Sequence, residues 1–139
     1  MSQLKGLGSA IALAPDASFS ASRPGEINGL LTAEEILGMK LQAELVVLSA
    51  CDTGRGKITG DGVIGLSRSL ISAGVPSVMV SLWSVPDSPT AELMSQFYIN
   101  LKERRMDKAQ ALRQAMLTTM KTHPSPRDWA AFTLIGESE

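Results

Sequence analysis

The sequence predicts an α/β fold with three layers, in which a mostly parallel sheet of about four strands carries helices on both faces. The first indication is Leu45–Ser49, an uninterrupted apolar run of the kind that is buried on both sides of a parallel sheet. The second is Ser77–Trp83, a similar apolar strand farther along the chain. The third is the alternation of such runs with helical segments of roughly ten or more residues, which are long enough to connect parallel strands.

The individual elements follow from local patterns. Strands are predicted at short apolar runs, which cover Ser9–Ala14, Leu45–Ser49, Ser77–Trp83 and Trp129–Ile135. Helices are predicted at amphipathic segments, which start near Thr32, Val63, Ser88 and Asp107. Thr32 and Glu35 have the spacing of a capping box, as do Asp107 and Gln110. Gly74 is the expected residue after the end of the second helix.

Length, charge and cysteine content limit the possible functions. The 139 residues are expected to form one domain, residues 1–139, without an internal linker. The net charge of −1, without a run of like charges, indicates neither a nucleic-acid partner nor a membrane-surface partner. No apolar run approaches the ~18 residues that a membrane span needs. The single cysteine cannot form an internal disulfide, which fits a reducing cytoplasm.

That cysteine, Cys51, closely follows the Leu45–Ser49 strand and precedes a loop containing Gly54, Gly56, Gly60 and Gly62. Ligands and catalytic groups gather at the carboxyl ends of parallel strands. The polar turn residues and the start of the Val63 helix favour an accessible thiol with thiolate character. The alternative is that Cys51 is a small apolar residue of the core.

Several other chemistries can be tested by spacing. A cysteine phosphatase loop needs an arginine where this chain has Lys57, and a hydrolase elbow needs glycines where it has Ser49 and Thr53. A Walker A loop needs serine or threonine where Ile58 follows Lys57. Only a general phosphate-binding loop remains as an alternative. One cysteine and one histidine do not make a metal site, so no metal and no cofactor are expected.

A series of short blocks along nearly the whole chain forms one ordered pattern. The blocks cover residues 30–36, 45–56, 60–66, 73–75, 82–87 and 123–136. This pattern resembles the CHAT domain, a caspase-like family of clan CD cysteine peptidases that is commonly joined to tetratricopeptide repeats. The resemblance implies a partial caspase-like fold and a parent protein with a tetratricopeptide repeat region as a partner of this chain.

The resemblance also implies roles for individual residues. Cys51 matches the nucleophile, which attacks the scissile carbonyl of a protein or peptide substrate and forms an acyl-enzyme. Trp83 and Ser84 match the segment that lines the primary specificity pocket. Asp52 and Asp87 are nearby carboxylates that could select a basic side chain. Their alternative roles are a turn for Asp52 and helix capping for Asp87.

One part of the family pattern is not found. Active members carry a His-Gly pair that would fall near or before residue 1, where this sequence has no histidine. The chain is therefore expected to be the C-terminal portion of a CHAT domain and a very poor peptidase by itself. His123 is expected to have a role at a helix end or in a turn. A sheet edge left open beside Ser9–Ala14 would favour homo-oligomers.

Three functions remain open from the sequence. The chain is the nucleophile-bearing part of a cysteine endopeptidase, a non-catalytic interaction or signalling module with the same fold, or a phosphate- or nucleotide-binding domain. The first depends on Cys51, and the third depends only on the glycine-rich loop after it.

Overall fold

The structure is a computed structural model, and it describes residues 10–12, 30–49 and 60–139. Strands and helices alternate along the described residues, which confirms the predicted α/β class. The elements in order are β1 (Ala10–Ala12), β2 (Leu30–Thr32), α1 (Ala33–Leu37), β3 (Val46–Leu48), α2 (Gly60–Ser72), β4 (Ser77–Ser81), α3 (Asp87–Lys102), α4 (Lys108–Thr122), α5 (Pro126–Trp129) and β5 (Phe132–Gly136).

The main sheet is mixed. Its order is β3-β4-β5, with β3 parallel to β4 and β5 antiparallel to β4. The sequence predicted a mostly parallel sheet of about four strands, whereas the described residues form three strands in this sheet. The predicted first strand does not join it. Within the described residues, β1 instead pairs antiparallel with β2, a strand that the sequence analysis did not predict.

The helix pair between β4 and β5 explains the direction of β5. Glu92 near the start of α3 contacts His123 at the end of α4, and Asn100 near the end of α3 donates to the carbonyl of Ala111 near the start of α4. The two helices are therefore antiparallel. A single crossover helix would return the chain to the edge of the sheet where β4 begins, and the next strand would then be parallel to β4. Here the second helix, α4, brings the chain back to the opposite edge, where β4 ends. The next strand must then run antiparallel to β4.

The predicted three layers follow from the two faces of β4, in which all five residues are buried. Met79 points to one face and packs in a cluster with Phe97 of α3 and Ala115 of α4. Val78 and Val80 point to the opposite face and pack in a second cluster, with side chains of α1 and α2. The period of two along a strand thus explains why this apolar strand has a core on both sides.

Two boundaries near the C-terminal end differ from the prediction. The sequence predicted a strand from Trp129 to Ile135, but a short helix, α5, ends at Trp129 and β5 begins at Phe132. Pro126 is at the start of α5, where its missing N–H costs no hydrogen bond and its fixed φ suits a helix.

The capping box of α1 is confirmed. The Thr32 hydroxyl accepts from the Glu35 backbone N–H at 3.2 Å, and the Glu35 carboxylate accepts from the Thr32 backbone N–H at 2.8 Å. Hydrogen bonds from the backbone N–H and hydroxyl of Thr32 hold the pKa of Glu35 below its usual range. The short helix α1 is thus stabilised at the end where four N–H groups lack helical partners.

Asp107→Ala is expected to lower the free energy of unfolding by about 1 kcal/mol. Asp107 is the N-cap of α4, and its carboxylate accepts from the Gln110 backbone N–H at 2.7 Å. Urea denaturation followed by circular dichroism measures the loss. Asp107→Asn keeps an acceptor oxygen and should remain close to the original protein. An equal loss in both variants would show that the cap hydrogen bond does not stabilise α4.

Candidate functional site

The carboxyl ends of β3 and β4 lie at the same edge of the sheet because the two strands are parallel, with Leu48 opposite Val80. Ser49, which follows β3, is exposed. The predicted nucleophile Cys51 comes two residues later in the sequence, and both Cys51 and Asp52 lie outside the described residues. The other predicted site residues follow β4 and are described.

Trp83 is held in place although its ring is exposed. Its Nε1 donates to the backbone carbonyl of Arg127 in α5 at 2.8 Å, and 38% of the residue is accessible. The backbone N–H of Leu82 donates to the carbonyl of Ala131 at 2.8 Å. The segment after β4 is therefore fixed against α5 and the start of β5, and it presents Leu82 and Trp83 as an apolar surface at the edge where β3 and β4 end.

Ser84 and Asp87 lie in the same connection. Ser84 is partly buried, whereas Asp87 is exposed and is the first residue of α3. Pro86 is the N-cap of α3, so the capping role considered for Asp87 is wrong, although a carboxylate in the first turn still suits the helix dipole. Among the described residues, the Asp87 carboxylate has no hydrogen bond or ion pair. It is thus available to a cationic group.

The structure places Trp83 and Ser84 in the connection between β4 and α3, and Asp87 follows at the start of α3. The sequence analysis missed α5, whose Arg127 carbonyl orients the Trp83 indole. The available signal was Pro126, a residue favoured in the first turn of a helix. Leu82 was predicted only as part of a strand, and its exposure follows from the end of β4 at Ser81.

His123, the single histidine of the chain, joins two helices. It is the C-cap of α4, which confirms the predicted role at a helix end, and its backbone N–H donates to the Thr119 carbonyl at 2.8 Å. Its Nε2 lies 3.2 Å from Oε2 of Glu92 in α3. The other oxygen of Glu92 accepts from the Thr122 hydroxyl at 2.7 Å. His123 is thus engaged in a contact between α3 and α4.

Neither a metal site nor a membrane span is found in the part of the chain that the structure describes. In residues 10–12, 30–49 and 60–139, no group of three or more His, Cys, Asp or Glu side chains is placed to hold a metal ion. None of the helices in these ranges has the length and apolar character needed to span a membrane.

Comparison with known proteins connects the fold to a family. The CHAT domain profile matches residues 4–137. Tetratricopeptide repeat protein 28 of Mus musculus is 38% identical to the chain over 109 residues, and the Homo sapiens protein of the same name is 39% identical over 109 residues. Each match covers 77% of this chain, which spans only 4% of the length of either relative. Because the family profile matches almost the whole sequence, the chain belongs to the CHAT domain family.

Proposed function

We propose that this chain is the nucleophile-bearing part of a caspase-like cysteine endopeptidase and that Cys51 is the nucleophile. The main support is the position of Cys51 in a CHAT domain sequence, two residues beyond Ser49 and after β3, which is parallel to β4. In the proposed reaction the thiolate attacks the scissile carbonyl carbon and the C–N bond breaks. The nitrogen leaves as an amine with the proton that the general base took from the thiol, and a thioacyl-enzyme remains. Water then hydrolyses the thioester and releases the carboxylic acid and the thiol.

The connection between β4 and α3 supports a substrate-binding role. Trp83 offers an exposed apolar ring that the Arg127 carbonyl holds in one orientation, which keeps the entropy lost on binding small. Ser84 adds a polar group beside it, and the unpaired carboxylate of Asp87 is suited to a basic side chain of the substrate. Asp52 is proposed as a second carboxylate of the same site.

The general base is proposed to come from sequence outside this chain in the parent protein. His123 is a poor candidate because the resemblance places the catalytic histidine near or before residue 1, whereas His123 is the C-cap of α4. Without a base, only a few per cent of an ordinary thiol is ionised at neutral pH. We therefore propose that residues 1–139 form one portion of a CHAT domain and that peptidase activity needs the rest of that domain.

The full-length parent is expected to react with a peptide probe that carries an electrophilic ketone after lysine or arginine, and mass spectrometry should locate the adduct at Cys51. Residues 1–139 alone should react at least about 100-fold more slowly, because a positioned general base contributes about this factor or more. Cys51→Ala should abolish labelling. Asp87→Asn should weaken labelling by the basic probe more than labelling by a probe with a neutral side chain.

Failure of the full-length parent to react with basic, acidic or neutral probes would contradict the peptidase proposal. The second candidate, a non-catalytic interaction or signalling module, is favoured by the single histidine of the sequence, which is the C-cap of α4 and does not match the catalytic histidine of the family. It requires that Cys51→Ala leaves the biological activity of the parent unchanged. A nucleotide-binding role requires a thermal shift with nucleotides.

The proposed partners are a protein or peptide substrate and the tetratricopeptide repeat region of the same parent, in the cytoplasm. The tetratricopeptide repeat region is supported as a partner by the two relatives, which are named for such repeats and of which this chain matches a small part. Homo-oligomerisation through an open sheet edge is a further proposal, and light scattering tests it.

A further inference from the structure

An apolar pocket of about 300 Å³ lies between α4 and β5, and the proposed peptidase site does not use it. Its walls include Leu112 and Met116 of α4, Trp129 at the end of α5 and Leu134 in the middle of β5. This volume is at the lower end of the range for ligand pockets, and it is large enough for one large apolar side chain.

One charged group in the wall lacks a partner. Arg113 also lines the pocket and is exposed, and among the described residues its guanidinium has no ion-pair or hydrogen-bond partner. An occupant that matches this group would carry a negative charge for Arg113.

The backbone of β5 provides a third feature. The Leu82 N–H donates to the Ala131 carbonyl, and the Glu137 N–H donates to the Pro76 carbonyl. The odd-numbered residues of this segment therefore direct their backbone N–H and C=O groups toward β4. In an antiparallel pair the direction of the backbone groups alternates, so Leu134 and the even-numbered residues point their N–H and C=O groups away from β4. Within the described residues β5 pairs only with β4, which leaves this side available.

We propose that the open side of β5 binds an extended peptide segment of a partner protein by strand addition. A strand placed there would direct alternate side chains to the same face as Leu134, where one large apolar side chain would fill the pocket. An acidic side chain of the peptide would pair with Arg113. The free backbone edge favours a peptide over a small apolar molecule, because only a peptide satisfies all three features.

The test is fluorescence anisotropy of the whole chain with a labelled heptapeptide that has a central leucine flanked by alternating threonines and glutamates. Arg113→Glu is expected to weaken binding at least about 10-fold, and Arg113→Lys much less, because a charge-assisted contact is lost only in the first.

Three controls make the result specific. Arg68→Glu changes the charge of an exposed arginine on α2, away from the pocket lining, and should leave binding unchanged. Replacing the glutamates of the peptide by lysines should restore binding to Arg113→Glu. A peptide N-methylated at alternate residues should bind neither protein, because it cannot pair with β5.

The proposal is overturned if Arg68→Glu and Arg113→Glu weaken binding equally or if the N-methylated peptide binds as well as the original. It is also overturned if the peptide does not bind at millimolar concentration. Light scattering then shows whether a second copy of the chain occupies the β5 edge instead.

Discussion

Gly136→Ala is expected to destabilise the protein by about 3 kcal/mol or more, a large effect for the addition of one methyl group. Gly136 ends β5 with a φ of 103°, which side chains with a Cβ rarely adopt. This conformation alone costs an alanine about 1–3 kcal/mol. A Cβ on residue 136 would also lie 2.2 Å from the carbonyl oxygen of Pro76, a separation that no real Cβ contact allows.

The contact cannot be relieved cheaply because the surrounding backbone is hydrogen-bonded. The N–H of Glu137 donates to the same Pro76 carbonyl at 2.9 Å, and the Ser77 hydroxyl donates to the Glu137 carbonyl at 2.6 Å. Moving the two segments apart would weaken both bonds at the point where β4 begins and β5 ends. The loss should therefore include pairing of the two strands as well as backbone strain.

Two other glycines allow these causes to be separated in urea denaturation. Gly74 has a similar φ of 106°, but a Cβ there would lie 3.0 Å from the Leu41 carbonyl oxygen, so Gly74→Ala should show mainly the strain. Gly38 has a φ of −82° and a nearest contact of 3.5 Å, so Gly38→Ala should be close to neutral. Equal losses at Gly136 and Gly74 would contradict the predicted contact with Pro76.

Phe97→Ala is expected to lower the free energy of unfolding by about 3–5 kcal/mol. The ring is fully buried in the cluster that joins α3, α4 and one face of the sheet, where it packs with Leu93, Met79 and Ala115. Removing it loses the transfer free energy of the ring and leaves a cavity between layers that are held apart by other contacts. Since small domains are stable by only about 5–15 kcal/mol, this is a large share of the total.

The exposed neighbour Tyr98 provides the matched control. Its ring is edge-on to that of Phe97, with centroids 5.3 Å apart, and 42% of Tyr98 is accessible. Tyr98→Ala should cost much less, and the double variant should reveal a coupling of about 0.5–1.5 kcal/mol between the rings. A loss below about 1 kcal/mol in Phe97→Ala would contradict the central place of this ring in the core.

Helix boundaries that depend on adjacent residues could be predicted. The Thr32 capping box and the Gly74 end were confirmed, because each depends on groups only a few residues apart. Of the second predicted capping box, the structure shows the half in which Asp107 accepts from the Gln110 N–H. The exposure of apolar side chains on the helices could not be predicted in the same way. Tyr98 of α3 and Met120 of α4 are 42% and 37% accessible, and exposure of this kind depends on which elements pack against each helix.

The candidate site also has one feature that could be predicted from the sequence and another that could not. Its position at the carboxyl ends of two parallel strands followed from the apolar runs, and the parallel pairing of β3 with β4 confirms the geometry on which that prediction depended. The support of Trp83 by Arg127 could not be predicted, because the two residues are 44 positions apart and meet only when α5 packs against the end of β4. The roles of Cys51 and Asp52 remain predictions.

Local patterns were enough to predict the α/β class, the helix caps and the buried strand β4, because these features depend on periodicity and on residues close together in sequence. The prediction that Leu45–Ser49 is buried on both faces was wrong, since all three residues of β3 are only partly buried. The family followed from the resemblance of the ordered blocks. Tertiary packing alone decided that β5 runs antiparallel and that His123 binds Glu92, because the antiparallel pairing of α3 with α4 sets both. The same packing creates the apolar pocket beside β5, since its walls come from α4, α5 and β5 and meet only in the folded protein.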